Sequence, residues 1–281
     1  MLSQIAGALF RACCVAMMVA APSLLLPDVA AETSQVTLVI AFLVALLVFM
    51  EYNGRYPSII EFRFAPPFNR LRFTAAALTV MALSVIIAGM THPTSLSVVL
   101  GHYGAKLGNV ADFPYSPVRL MLLLLPPGTD AVTLHSVRTA TGLSYIVSLV
   151  MVVIFILIVR LRNWPICGRS FNVWVNLPLF DPTRGGDVVE RLRRDAGVNV
   201  VLGILLPFMV PAMIKAVPVL MDPVALGNPQ TLIWVTVAWA FLPASMLIRG
   251  IALLRVAQLI AARRKMLGSA AAGEQAVLPN V

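Results

Sequence analysis

The chain has 281 residues, of which 59% are apolar and only 12% are charged, and its mean hydropathy is +0.90. A soluble domain needs roughly 25% charged residues to cover its surface. This composition therefore excludes soluble enzymes, disulfide-stapled secreted domains and disordered tails. The sequence instead predicts an all-α, polytopic membrane helix bundle that places much of its apolar surface against lipid.

Six apolar segments are long enough to cross a membrane, because a transmembrane helix needs about 20 mostly apolar residues. Four of them meet this length without ambiguity, and the second is short but carries no charge. We therefore predict six transmembrane helices in a single transmembrane domain. The predicted spans are 5–26, 33–50, 73–90, 141–161, 198–221 and 232–254.

The first span allows two interpretations. Arg11, the apolar run 12–26 and the small residues 29–31 resemble a secretory signal followed by its cleavage site. However, the segment before Arg11 is itself apolar, and a single basic residue marks the amino-terminal region. We favour a retained helix, and a cleaved signal over residues 1–31 is the alternative.

The basic residues are distributed unevenly between the two sides of the predicted bundle. Six spans put loops 51–72 and 162–197 and the tail 255–281 on one side, and the long loop 91–140 on the other. With Arg160 and Arg249 at the adjoining ends of the spans and Arg11 added, the first side carries 17 of the 21 Lys and Arg residues. The positive-inside rule therefore places it and both termini in the cytoplasm. We expect an inner (plasma) membrane protein whose charge of +9 contacts anionic lipid headgroups and not nucleic acid. The 17 residues are Arg11, Arg55, Arg63, Arg70, Arg72, Arg160, Arg162, Arg169, Arg184, Arg191, Arg193, Arg194, Arg249, Arg255, Arg263, Arg264 and Lys265.

Aromatic and basic residues alternate in the first cytoplasmic loop. The alternation of Phe62, Arg63 and Phe64 predicts a short extended stretch with one apolar and one charged face. Arg70 and Arg72 follow shortly afterwards. At the level of the headgroups, the rings would lie in the interface and the arginines would contact phosphates. We favour an interfacial anchor, and a docking surface for another integral membrane protein is the alternative.

A short amphipathic helix is predicted in the second cytoplasmic loop. Asp187 and Glu190 have the spacing that caps the amino terminus of a helix, and Arg191, Arg193 and Arg194 share its polar face. We expect this helix to lie on the membrane surface before the fifth span. Engagement of a partner protein is the alternative.

The predicted outer loop contains an apolar run, 120–125, that is too short to span the membrane. We favour an interfacial helix or a cover over the outer ends of the spans. A re-entrant segment is the alternative, and it would make this run an element of a pore.

Residues that carry chemistry are scarce inside the predicted spans. The three histidines lie outside them, at separations that match no metal-ligand spacing. The spans contain no Asp or Glu, which argues against proton coupling, and the sequence has no nucleotide-binding motif and no C-x-x-C pair. We therefore predict no catalytic residue, no cofactor and no metal site.

Proline and glycine form a stripe along the fifth predicted span. Gly203, Pro207, Pro211 and Pro218 are separated by four, four and seven residues, which places them on one side of a helix. Each proline removes one backbone hydrogen bond and frees a carbonyl, which protein or water must cover within the membrane. We expect this face either to pack against a neighbouring helix or to line a solute cavity.

Two functional hypotheses follow from these features. The favoured one is a non-enzymatic accessory, assembly or scaffold subunit of a larger inner-membrane complex, because coupling residues are lacking and the loops are rich in arginine and aromatic residues. The alternative is a permease or channel-like protein for a small or lipophilic solute, which would use the kinked fifth span. A lipid enzyme has weaker support, because the available acids resemble capping and solvated groups. These acids are Asp181, Asp187, Glu190 and Asp195.

Overall fold

A computed structural model describes residues 2–27, 29–56, 58–165, 172–181, 183, 185–216 and 226–277, with side chains as far as residue 269 except that of Trp174. The described residues form nine α-helices. They are α1 (Leu2–Leu25), α2 (Ala31–Asn53), α3 (Phe68–Thr91), α4 (Ser95–Ala111), α5 (Pro117–Leu122), α6 (Ala131–Leu161), α7 (Val173–Asn176), α8 (Val188–Ala216) and α9 (Pro229–Val277).

Six of these helices are long and apolar enough to cross a membrane, namely α1, α2, α3, α6, α8 and α9. The prediction of an all-α chain with six candidate spans is confirmed. Several helices extend beyond the predicted spans. The amino terminus of α6 is at Ala131, not near residue 141, because the Asp130 carboxylate accepts a hydrogen bond from the Thr133 amide at 2.8 Å. The 49 residues of α9 give a length of about 74 Å, more than twice the roughly 30 Å of membrane hydrocarbon.

The helix predicted at the surface before the fifth span is continuous with that span. α8 begins at Val188 and runs without interruption to Ala216. Its buried residues recur every three or four positions along its whole length, so one face of a single helix packs against the bundle. They are Val189, Leu192, Ala196, Asn199, Gly203, Pro207 and Pro211.

The long predicted outer loop contains α4, which the sequence analysis did not predict, and the short α5. The capping pair Thr94 and Ser97 starts α4, each side chain accepting a hydrogen bond from the backbone of the other. Within the apolar run 120–125, Met121 is fully buried and Leu123 is half exposed. α5 packs against α6 and α8, so this run helps to cover one end of the bundle.

Two apolar cores lie at opposite ends of the bundle. One is formed by α3, α5, α6 and α9 together with the residues before α9, and Leu83, Met121 and Ile233 are fully buried in it. The other lies where α2 and α6 end and where α3 and α8 begin, and it includes Phe68 and Ile248. We call the second end the basic side, because the arginine-rich loops and the tail of α9 lie there.

Glycines allow two pairs of helices to approach closely, as is common between membrane helices. A Cβ atom on Gly142 of α6 would collide with Gly108 of α4. On Gly203 of α8, a Cβ atom would lie 2.8 Å from the carbonyl oxygen of Pro243 in α9. Both positions therefore require a residue without a side chain.

The first two helices form an antiparallel hairpin that packs on the bundle mainly through α1. At the basic side, the Gln4 side chain donates a hydrogen bond to the carbonyl of Asn53 at 3.1 Å. At the other end, the Gln230 amide of α9 donates to the hydroxyls of Ser23 and Thr37 at 2.9 and 3.0 Å. The first contact joins α1 to α2, and the contacts of Gln230 tie both helices to α9.

Candidate functional site

The proline stripe packs against α9. Gly203, Pro207 and Pro211 are all buried. Because Pro211 has no amide proton, the carbonyl of Pro207 lacks its usual helical partner. The indole Nε1–H of Trp239 in α9 donates to this carbonyl at 3.1 Å. The face is therefore buried at these three positions and hydrogen-bonded to α9 at the Pro207 carbonyl. Pro218, the fourth predicted member, lies outside the described residues.

The basic side carries a folded unit that we call the basic cap, made of residues 54–67 and 162–187 as far as they are described. Its centre is an aromatic cluster. The ring of Phe62 lies 4.6 Å from that of Phe68 and 5.4 Å from that of Trp164, and Phe155 lies 5.1 Å from Trp164. All four side chains are at most 1% exposed, so the two connecting segments share one core with α3 and α6.

Hydrogen bonds between the two segments fix the basic cap. Asn176 accepts two of them, through its carbonyl from the Phe62 amide at 2.6 Å and through its side-chain oxygen from the Phe64 amide at 3.1 Å. The Trp164 indole donates to the Ala65 carbonyl at 3.2 Å. Two connections that are far apart in sequence are thereby joined through backbone groups.

The expected extended stretch at Phe62–Phe64 is a turn in the structure. Phe62 has a φ of +53°, an uncommon conformation for a bulky residue, and its carbonyl accepts a hydrogen bond from the Ala65 amide. Packing of Phe62 in the aromatic cluster and its hydrogen bond to Asn176 hold this conformation. Phe62 is consequently buried, whereas Phe64 is 56% exposed.

Arg63 caps the carboxyl terminus of α2. Its guanidinium donates to the carbonyls of Glu51, Tyr52 and Gly54, the last two at 2.7 and 2.9 Å. A cation suits this position because the free carbonyls at the end of a helix carry partial negative charge. Partial burial lowers the pKa of Arg63, while Tyr52 and Glu51 act in the opposite direction.

Glu51, in the last turn of α2, binds the loop that follows. Its carboxylate accepts hydrogen bonds from the amides of Ser58, Ile59 and Ile60 at 3.1 to 3.2 Å and from the Ser58 hydroxyl. Three successive amides that converge on one carboxylate form an anion-binding turn. The loop is therefore folded back onto the helix that it leaves.

A partly buried ion pair joins the basic cap to α9. The Arg249 guanidinium donates to both oxygens of the Glu61 carboxylate, at 2.6 and 2.8 Å, and this two-point geometry is the strong form of the arginine–carboxylate contact. Arg72 of α3 interacts electrostatically with both groups, and its guanidinium lies 5.4 Å from the Phe68 ring and 5.9 Å from the Phe241 ring.

The remaining predicted arginines occupy different environments. Arg191 donates to the Asp181 carbonyl at 2.6 Å and lies 4.6 Å from the Phe180 ring, so it fastens the end of the basic cap to α8. Arg70, Arg193 and Arg194 are exposed.

At the start of α8, the Asp187 carboxylate is paired with Arg264 of α9. The hydrogen bond from Arg264 is the largest cause that lowers the pKa of Asp187. This pair links the first turn of α8 to the extension of α9 beyond the predicted span.

The opposite side contains a compact ion-pair group. Asp112, at the end of α4, contacts Arg119 of α5 at 2.7 Å and Arg138 of α6 at 3.0 Å. A cleft of about 170 Å³ lies nearby between α3, α4 and α6, and His135 and Ser136 are among its lining residues. This volume is below the roughly 300–1,000 Å³ of typical ligand pockets.

In the part of the chain that the structure describes, no three His, Cys, Asp or Glu side chains are grouped to hold an ion. Of the acids considered for a lipid enzyme, Asp187 is ion-paired and Asp181 binds the Thr183 amide at 2.9 Å. Both contacts are structural.

Sequence reasoning missed the residues that organise the basic cap. Trp164, Asn176 and Glu61 act across separations of 99, 112 and 188 residues, which no local pattern reveals. A polar partner for Arg249 could be partly foreseen from the sequence, because Arg249 is a charge within an apolar segment and a charge in that position normally has a partner.

No protein-family model, curated protein or solved structure matches this chain. Its functional interpretation rests on its own residues and their geometry.

Proposed function

We propose that this protein is a non-enzymatic accessory or scaffold subunit of a larger inner-membrane complex, and that the basic cap is its docking surface for other integral membrane proteins. The carrying observation is the folded state of the cap. Connections of this length without regular structure are uncommon unless they serve a function. Here two of them share a buried aromatic core, and the first is also joined to α9 by a partly buried ion pair.

The exposed surface of the basic cap supports a docking role. Large apolar side chains project from it beside exposed arginines, and this combination is typical of the energetically important part of protein interfaces. Tyr56, Ile59, Phe64 and Leu179 are between 56% and 72% exposed.

The proposed orientation places the basic side in the cytoplasm, because 17 of the 21 Lys and Arg residues belong to it. Cysteines introduced by Ser95→Cys and Gly185→Cys, in a chain without its native cysteines, test this orientation. An impermeant thiol reagent applied outside the cell should label the first and not the second. The reverse pattern, or equal labelling, contradicts the orientation.

The alternative, a permease that uses the kinked fifth span, has less support. Its proposed solute path follows the face of Gly203, Pro207 and Pro211, which packs against α9. The Trp239 indole, moreover, already donates a hydrogen bond to the Pro207 carbonyl, which Pro211 leaves without its helical partner.

Mild extraction of native membranes, followed by native gel electrophoresis and mass spectrometry of the band, tests the proposal. We expect a large band with fixed membrane-protein partners. The variant Phe64→Asp/Leu179→Asp should lose those partners, whereas Tyr115→Asp, at an 88% exposed aromatic on the other side, should keep them. Migration of the unchanged chain alone would contradict the scaffold role, and would make solute flux in liposomes the next measurement.

A further inference from the structure

Four arginines surround Tyr52 at the basic end of α2. The Arg11 guanidinium of α1 lies 4.8 Å from the centre of the Tyr52 ring, and that of Arg63 lies 5.5 Å from it. Arg70 and Arg72, from the first turns of α3, also interact electrostatically with Tyr52. Three elements that are separate in sequence thus bring positive charge to one aromatic side chain.

Arg11 reaches this cluster by folding back along its own helix. Its guanidinium donates to the Gly7 carbonyl at 2.6 Å, one turn nearer the basic end. A Cβ atom on Gly7 would lie 3.0 Å from that guanidinium, so the glycine provides the room. A long basic side chain that starts within a span and directs its charge toward the interface is behaving as lipid-facing arginines do.

The positive charge of the cluster is only partly neutralised by the protein. The two nearby carboxylates, Glu51 at the end of α2 and Glu61 in the loop that follows, are already engaged, because Glu51 binds three backbone amides and Glu61 binds Arg249. Among the described residues, the buried Nε of Arg72 has no hydrogen-bond partner. Arg11 and Arg70 are exposed, so an external anion can approach the cluster.

The surroundings of the cluster favour a lipid over a soluble anion. Phe10, next to Arg11 and three residues from Gly7, whose carbonyl the Arg11 guanidinium binds, is 70% exposed. A ligand with a charged head and apolar chains would contact the arginines and this apolar surface together.

We propose that Arg11, Arg63, Arg70 and Tyr52 form a binding site for the phosphate group of an anionic membrane lipid, at the basic ends of α1, α2 and α3. Arginine guanidinium groups suit phosphate because they donate several hydrogen bonds in a planar fork. The site does not depend on the docking role of the basic cap. The proposed orientation decides only which leaflet supplies the lipid.

Native mass spectrometry of the full chain in detergent tests this site with phosphatidylglycerol, phosphatidylcholine of the same acyl chains, and inorganic phosphate as probes. The test variant is Arg11→Gln/Arg70→Gln, which spares the arginine that caps α2. The control is Arg160→Gln/Arg193→Gln, which removes the same charge from two exposed positions of the same side. Both variants should elute from size-exclusion chromatography at the same volume as the unchanged chain, which checks that they fold.

We expect the first phosphatidylglycerol to bind more tightly than phosphatidylcholine. Each arginine near a lipid surface contributes a factor of roughly five, so the test variant should bind that phosphatidylglycerol about thirtyfold more weakly. The control should keep the affinity of the unchanged chain. Equal affinities of the test and control variants, or no preference for phosphatidylglycerol, would overturn the site. Displacement of the lipid by millimolar inorganic phosphate would overturn the assignment to a lipid.

Discussion

The hydrogen bond from Trp239 to the carbonyl of Pro207 allows a quantitative test of how the proline stripe is stabilised. Trp239→Phe keeps an aromatic ring beside Tyr145, whose ring centre lies 5.8 Å away, but it removes the indole donor. A hydrogen bond between membrane helices contributes on average about 0.6 and at most about 1.7 kcal/mol. A buried carbonyl left without a partner costs roughly 1–3 kcal/mol. We therefore expect Trp239→Phe to lower the free energy of unfolding by about 1–2 kcal/mol.

A double-mutant cycle separates this hydrogen bond from the packing of the indole. Pro211→Ala restores an amide proton at the position that normally donates to the carbonyl of Pro207. In that background the carbonyl no longer depends on Trp239, so Trp239→Phe should cost about 1 kcal/mol less than in the unchanged chain.

The assay is reversible unfolding of the purified protein from mild detergent into SDS, followed by far-ultraviolet circular dichroism. All four members of the cycle are measured under the same conditions. Packing losses of the indole are common to both backgrounds and cancel. The same cost of Trp239→Phe in both backgrounds would refute the argument that the indole replaces the missing helical donor.

Three further changes test other contacts. Gly142→Ala should destabilise the protein by about 1–3 kcal/mol in the same assay, because the added methyl group meets the backbone of α4. The control Gly101→Ala, whose methyl group meets nothing within 4 Å, should be neutral or stabilise by up to about 1 kcal/mol. Equal effects of the two changes would contradict the close approach of α4 and α6. Glu61→Gln should lower the free energy of unfolding by about 2 kcal/mol. This is less than the roughly 3–5 kcal/mol expected for a fully buried pair, because the Arg249 side chain is 32% exposed. An unchanged midpoint of SDS unfolding would show that the pair does not stabilise the protein. The hydrogen bond from Arg264 lowers the pKa of Asp187. The ion pair should therefore stabilise the first turn of α8 above about pH 4 and lose this effect on further acidification. Faster amide exchange in that turn should report the loss, and Asp187→Asn should abolish its pH dependence.

The sequence predicts the spans well because each depends on local composition. The six apolar segments correspond to six helices that are long and apolar enough to cross a membrane. The capping role of Asp187 is also local: its carboxylate accepts a hydrogen bond from the backbone amide of Glu190 at 3.4 Å. Helix ends are less predictable. The amino terminus of α6 at Ala131 depends on one cap, and its first turns are stabilised by packing against α4, which begins in a segment expected to be a loop.

The basic cap was much less predictable. Alternation at Phe62–Phe64 favoured an extended stretch on the membrane surface, but packing with Trp164 and hydrogen bonds to Asn176 produce a turn. These contacts join segments about a hundred residues apart, and their energies exceed the weak local preference for an extended chain. The role of Arg63 as a cap of α2 is likewise invisible in the sequence, because it depends on the path of the intervening loop.

The stripe on α8 lies between these extremes. The spacing of Gly203, Pro207 and Pro211 predicts one face of a helix with freed carbonyls to cover, and all three residues are buried in the structure. The sequence does not reveal that the Trp239 indole donates to the freed Pro207 carbonyl, because this contact depends on how α8 and α9 are aligned along their lengths.

Site-specific photo-crosslinking in living cells tests the central claim most directly. A photoreactive amino acid replaces Phe64, on the exposed surface of the basic cap, or Tyr115, a still more exposed aromatic on the opposite side. The account predicts adducts of fixed mass with one or more membrane proteins from position 64 and none from position 115. No adduct from position 64, or the same adducts from both positions, would contradict the basic cap as the docking surface.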